Sequence, residues 1–131
     1  MQLALATTVT GDVPEVAERV RTALAEHGFG VLTEIDMAAT LKSKIGVDME
    51  DYVILGACNP PAAHRAVTAE KQIGLLLPCN VVVRRDPTAA DTVLVEAMNP
   101  RLMTTVVPDN PGLAEVADEV AGLLQAMIDS L

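Results

Sequence analysis

A long apolar stripe near the C-terminus constrains this chain most: Leu113, Val116, Val120, Leu124, Met127 and Leu131 recur every three or four residues. That spacing places all six on one side of an α-helix. Such a side cannot be left in water, so the fold must offer it an apolar surface. Pro108 and Pro111 bracket the approach, and Asp109 or Asn110 is the expected cap. A second helix of the same kind is written earlier, in Val13, Val16, Ala17, Val20, Leu24 and His27. Asp12 suits its N-cap, Pro14 its first turn, and Glu15 and Glu18 its positive end. His27 is a helix-terminal residue favoured by the dipole, and Gly28 can supply the left-handed stop.

The segments between these helices read as strands. Gln2–Val9 alternates, Phe29–Ile35 and Tyr52–Ala57 follow, and Asn80–Arg85 with Asp91–Ala97 form a hairpin around Asp86–Ala90. Asp36 caps a short helix from Met37 to about Ile45, with Lys42 and Lys44 toward solvent, and Gly46–Asp51 is a polar turn. Asn59 caps another helix that starts at Pro60 and runs to about Thr68, because a residue before proline prefers extended geometry. Pro78 has no N–H to give a ladder, so a strand entry, a bulge or an edge is expected there.

The order is β-α-β-(short α)-β-α-β-β-α. It predicts an α+β fold, a single mainly antiparallel sheet of four or five strands with two long helices packed on it. A parallel doubly wound sheet is disfavoured, since the hairpin occupies the place of another crossover helix. Residues 1–131 form a single domain.

Charge and composition narrow the partners. The net charge is −9, and no Lys or Arg follows Arg101. With one Phe, one Tyr and no Trp there is neither a basic stripe nor a stacking platform, which argues against nucleic acid. Arg84 and Arg85 are expected in solvent at a hairpin end. No apolar run approaches the ~20 residues that span a bilayer. With no basic-then-apolar leader at the N-terminus, a cytoplasmic location is expected, where thiols stay reduced. Mean hydropathy is +0.34. A folded chain of this mass exposes roughly 6,600 Å², so a homodimer that hides apolar surface is expected.

Two segments could hold chemistry. In Gly56-Ala57-Cys58-Asn59-Pro60-Pro61 a cysteine ends a strand one residue before a helix cap. Open N–H groups and the dipole at a helix start favour a thiolate by ~0.3–1 kcal/mol, up to ~2 when partly buried. In Leu77-Pro78-Cys79-Asn80 a second cysteine follows a proline that breaks the ladder. Their separation matches neither a C-x-x-C redox motif nor zinc-knuckle spacing. Only folding can bring them together, and from the spacing alone each reads first as a small buried hydrophobe. His64 lies about a turn into the helix after Cys58, among Ala62, Ala63 and Ala66, and reads as an exposed helix residue. Met98, Met103 and Met127 read as core filler. Glu34 and Asp36 read as a solvated edge. There is no phosphate-binding glycine fingerprint, nucleophile elbow or carboxylate dyad, so a conventional hydrolase or dehydrogenase is poorly supported.

Leu55–Pro60 together with Gly74-Leu75-Leu76-Leu77-Pro78-Cys79-Asn80-Val81-Val82-Val83 resembles the domain-of-unknown-function-302 family, and the likeness runs from the first helix to the last. The resemblance implies a small bacterial or archaeal protein with a TATA-binding-protein-like sheet, usually a homodimer. Cys58 and Cys79 match its motif cysteines, flanked by Asn59, Pro60 and Pro78.

Three functions remain open. In the first, Cys58, with Cys79 and Asn59, holds a cofactor or small-molecule ligand with a soft centre, such as haem iron, copper or zinc. In the second, Cys58 is the nucleophile of sulfur transfer or disulfide exchange, with Cys79 as resolving thiol. In the third, the cysteines are inert parts of a structural or partner-binding module.

Overall fold

The fold is described by a computed structural model covering residues 1–131. Five strands, β1 (Ala4–Thr10), β2 (Gly30–Asp36), β3 (Tyr52–Cys58), β4 (Cys79–Arg85) and β5 (Thr92–Met98), build one sheet. Its order is β1-β5-β4-β3-β2, and every neighbouring pair is antiparallel. Five helices complete the chain: α1 (Val13–Glu26), α2 (Met37–Ile45), α3 (Pro60–Ala69), α4 (Met103–Val106) and α5 (Pro111–Asp129). Two short 3₁₀ segments, Lys71–Leu76 and Pro100–Leu102, precede β4 and α4.

Alternation decides which sheet face is covered. Val53, Leu55 and Ala57, Cys79, Val81 and Val83, and Val93, Val95 and Ala97 are all buried on one face. The two helical stripes meet them there: Val16, Val20 and Leu24 of α1, and Leu113, Val116, Leu124 and Met127 of α5, are buried in the same core. The opposite face carries Ile35, Ile54, Val82 and Leu94, exposed or half-buried. β2 is an edge strand with an irregularity between Val31 and Thr33, and Glu34 and Asp36 are exposed on it, as expected of a solvated edge.

The caps follow the sequence reading. Asp12 accepts from the Glu15 N–H at 2.9 Å and Asp36 from the Ala39 N–H at 2.9 Å. Asn59 accepts from the Ala62 N–H at 3.1 Å and Asn110 from the Leu113 N–H at 3.0 Å. Of the two candidates before α5, Asn110 is the cap. Its amide also donates to the Ala69 carbonyl at 2.8 Å, tying the start of α5 to the end of α3. His27 Nδ1 lies 2.7 Å from the Ala23 carbonyl, to which it must donate, and Gly28 takes the left-handed conformation at φ 84°. The expectation for Arg84 is corrected: it is half-buried and donates to Glu96 at 2.6 Å across the β4–β5 pair, while Arg85 is exposed. Opposite charges on adjacent strands let a long side chain lie along the sheet rather than stand in water.

Candidate functional site

Cys58 is the last residue of β3 and pairs with Gly30 of the edge strand; Cys79 is the first residue of β4 and pairs with Ala57. The two cysteines are therefore diagonal neighbours across one ladder. Strand spacing of ~4.5–5.5 Å and a rise of ~3.4 Å per residue put their Cα atoms ~6 Å apart. That spacing lies within the Cα span of a disulfide, but Ala57 rather than Cys58 shares the sheet face of Cys79, so bridging requires the end of β3 to turn Cys58 toward it. Both are free thiols, Cys58 half-buried and Cys79 buried.

The two residues line one small chamber of about 30 Å³. Its buried walls include Phe29, Ala62, Ala66, Met103 and Val116, and the half-buried Cys58, Asn59, Ala63 and Leu77 form its rim. Burial pushes the Cys79 thiol up from 9.0 to about 11, and the adjacent Cys58 sulfur adds to the rise. A buried thiol has little solvation to stabilise its charge, and a neighbouring thiolate makes that charge costlier still.

The local backbone explains how the site is assembled. The Leu77–Pro78 peptide is cis. A Cβ on Gly56 would stand 2.8 Å from Pro78 Cγ and 2.2 Å from Thr33 Oγ1, so only glycine lets Pro78 lie against β3 beside the site. Gly28 is similarly close to the Asn59 amide: a Cβ there would be 3.1 Å from Nδ2. The expected supply of N–H groups for a Cys58 thiolate is corrected. Pro60 and Pro61 have none, the Ala62 N–H goes to Asn59 Oδ1, and the Ala63 N–H goes to the Asn59 carbonyl at 2.8 Å. The prolines that start the helix so cleanly are also what strip its N-terminus of donors.

The family model for the domain of unknown function DUF302 matches residues 5–131. The chain belongs to the DUF302 family. It is similar to the crystal structure of an uncharacterized conserved protein DUF302 from Bacillus stearothermophilus, at 29% identity over 98% of each chain with a TM-score of 0.88. No curated protein matches it.

In this DUF302 chain the predicted site residues divide. Cys58, Cys79 and Asn59 come together, with the Asn59 oxygen committed to its cap. His64 does not join them: it is exposed on α3 and borders a separate hollow with Arg65 and Thr68. The alanines noted around it line the thiol chamber instead. Met127 and Met103 are buried in the core. Sequence reasoning missed Phe29 and Met103 as walls of the chamber and Leu77 as part of its rim. The single Phe, standing directly after a helix-stopping glycine, is the one signal that could have marked the first of them. No group of three or more His, Cys, Asp or Glu side chains is placed to hold a metal ion, and no helix is long and apolar enough to cross a membrane.

Proposed function

We propose that this DUF302 protein works through thiol chemistry at Cys58, with Cys79 as its buried partner. One observation carries the reading: the two cysteines, distant in sequence, line the same apolar chamber, Cys58 half-buried and Cys79 buried. A Cys58 thiolate attacks a sulfur of a substrate disulfide R–S–S–R′, forming Cys58–S–S–R and releasing R′–S⁻. Cys79 then resolves the mixed disulfide after losing its proton, forming Cys58–S–S–Cys79 and releasing R–S⁻. The substrate is reduced and the protein dithiol oxidised, so electrons balance. With its pKa raised to about 11, Cys79 is a thiolate in about one molecule in ten thousand at neutral pH. Resolution is therefore slow, and the group transferred to Cys58 is held for a time.

Alkylation of the native protein with a small neutral reagent tests this. Cys58 should react at least about tenfold faster than Cys79, and a small disulfide should leave a mixed disulfide that accumulates further in Cys79→Ser. Equal protection of both thiols would reject the reading in favour of inert cysteines.

A second reading keeps the soft-centre ligand. Two neighbouring cysteines, once Cys58 turns toward Cys79, suit a two-coordinate copper(I) ion, since soft thiolates select it. Zinc calls for four ligands, more than this chain gathers at the site. Haem calls for a cleft far larger than 30 Å³. Titration with copper(I), followed by the charge-transfer absorbance of bound thiolate, should saturate at one equivalent and vanish in Cys58→Ser. The proposal includes a homodimer. Leu32, Ile35, Leu75 and Val106 are exposed, and the chain exposes 7083 Å² by itself. Sedimentation equilibrium should return twice the chain mass.

A further inference from the structure

The chamber beside the two cysteines is the smallest of the main hollows, at about 30 Å³. The others are larger, and nothing in the structure indicates an occupant for them. A water-sized atom needs about 10–15 Å³ of free space, so the 30 Å³ inside the rim seats one such atom or two, and a larger substituent on Cys58 would have to lie outside it. The walls are alkyl and aromatic groups, a dry surface that suits a soft, weakly hydrated occupant. Resting on the thiol reading of Cys58, we propose that the group Cys58 accepts is a single sulfane sulfur, held as a Cys58 persulfide folded into the apolar chamber.

The step balances without an external oxidant. The Cys58 thiolate attacks the outer sulfur of a donor persulfide R–S–SH. The new Cys58–S bond forms, the R–S–S bond breaks, and its electron pair leaves as R–S⁻, giving Cys58–S–SH. An acceptor thiolate takes the sulfur by the same displacement. Cys79 controls the competing loss. As a thiolate it would attack the Cys58 sulfur, close the disulfide and expel HS⁻; as a buried neutral thiol it leaves the persulfide intact. Cys58 is the only other titratable group lining the chamber, so no neighbour on α3, α5 or β2 supplies a base.

The test uses the reduced full chain and cysteine persulfide as donor, read by intact mass and by released sulfide. Wild type should gain one sulfur atom, Cys58→Ser none. The loaded wild type should keep its sulfur near neutral pH and release sulfide as the pH rises toward 11. Loaded Cys79→Ser should release none by this route. Ala63→Val, which fills the rim of the chamber, should load at least about tenfold less while its Cys58 still reacts with a small disulfide. Uptake of two or more sulfurs would overturn the one-atom limit, as would normal loading of Ala63→Val. A Cys58 that exchanges with small disulfides but takes no sulfur would overturn this inference alone. A Cys58 inert to both donors would overturn the thiol reading as well. Should Ala63→Val fail to fold, the pH profile of Cys79→Ser still decides.

Discussion

At the scale of single residues, Cys79 makes stability depend on pH. Its folded pKa, about 11, lies above the ordinary 9.0. Below pH 9.0 folded and unfolded chains both keep the proton. Between the two values the unfolded chain releases it and the folded chain does not, so stability falls as pH rises. The loss should total about 2–3 kcal/mol. Urea unfolding from neutral pH to about 11 will show it, and Cys79→Ala should flatten the curve. Gly56 is the second decisive residue. Alanine there meets Thr33 Oγ1 and Pro78 Cγ inside contact distance, so Gly56→Ala should cost ~1–3 kcal/mol in thermal or urea unfolding. It should also raise the alkylation rate of Cys79 by displacing the segment that buries it. Glycine's permissiveness is legible in a sequence, but its neighbour is not: nothing local says that Thr33 and Pro78 converge on position 56.

Among elements, helices and strands were nearly all legible, because their signals are local. Asp12, Asp36 and Asn59 announce their helices, and each accepts the expected N–H. Boundaries moved by a residue or two: β1 starts at Ala4, β2 ends at Asp36 and α3 reaches Ala69. The two 3₁₀ segments and α4 went unread, since pieces that short carry no periodicity. Asn110 illustrates a cap with two jobs, at Leu113 and at Ala69. Asn110→Ala should therefore cost about 2 kcal/mol, the upper end for a lost cap, and Asn59→Ala about 1. Paired urea denaturation curves measure both. Ion pairs between elements, Arg65 with Glu119 and Arg101 with Asp118, are solvent-exposed and contribute at most about 1 kcal/mol each.

For the whole molecule, one core unites the covered sheet face with α1 and α5. Leu124 is fully buried in it, so Leu124→Ala should lower unfolding free energy by ~2–5 kcal/mol, measured by urea titration. The sequence by itself determined the α+β class, the order of elements and the hairpin, because apolar period, caps and proline act over a few residues. It also nominated Cys58 and Cys79 through the motifs that flank them. Only the tertiary structure decided that these two cysteines line one chamber, that His64 stands apart, and that Phe29, Leu77 and Met103 enclose the site. Those are matters of strand register and of which helix lies over which strand. Contacts between segments far apart in the chain leave no periodic trace in either one.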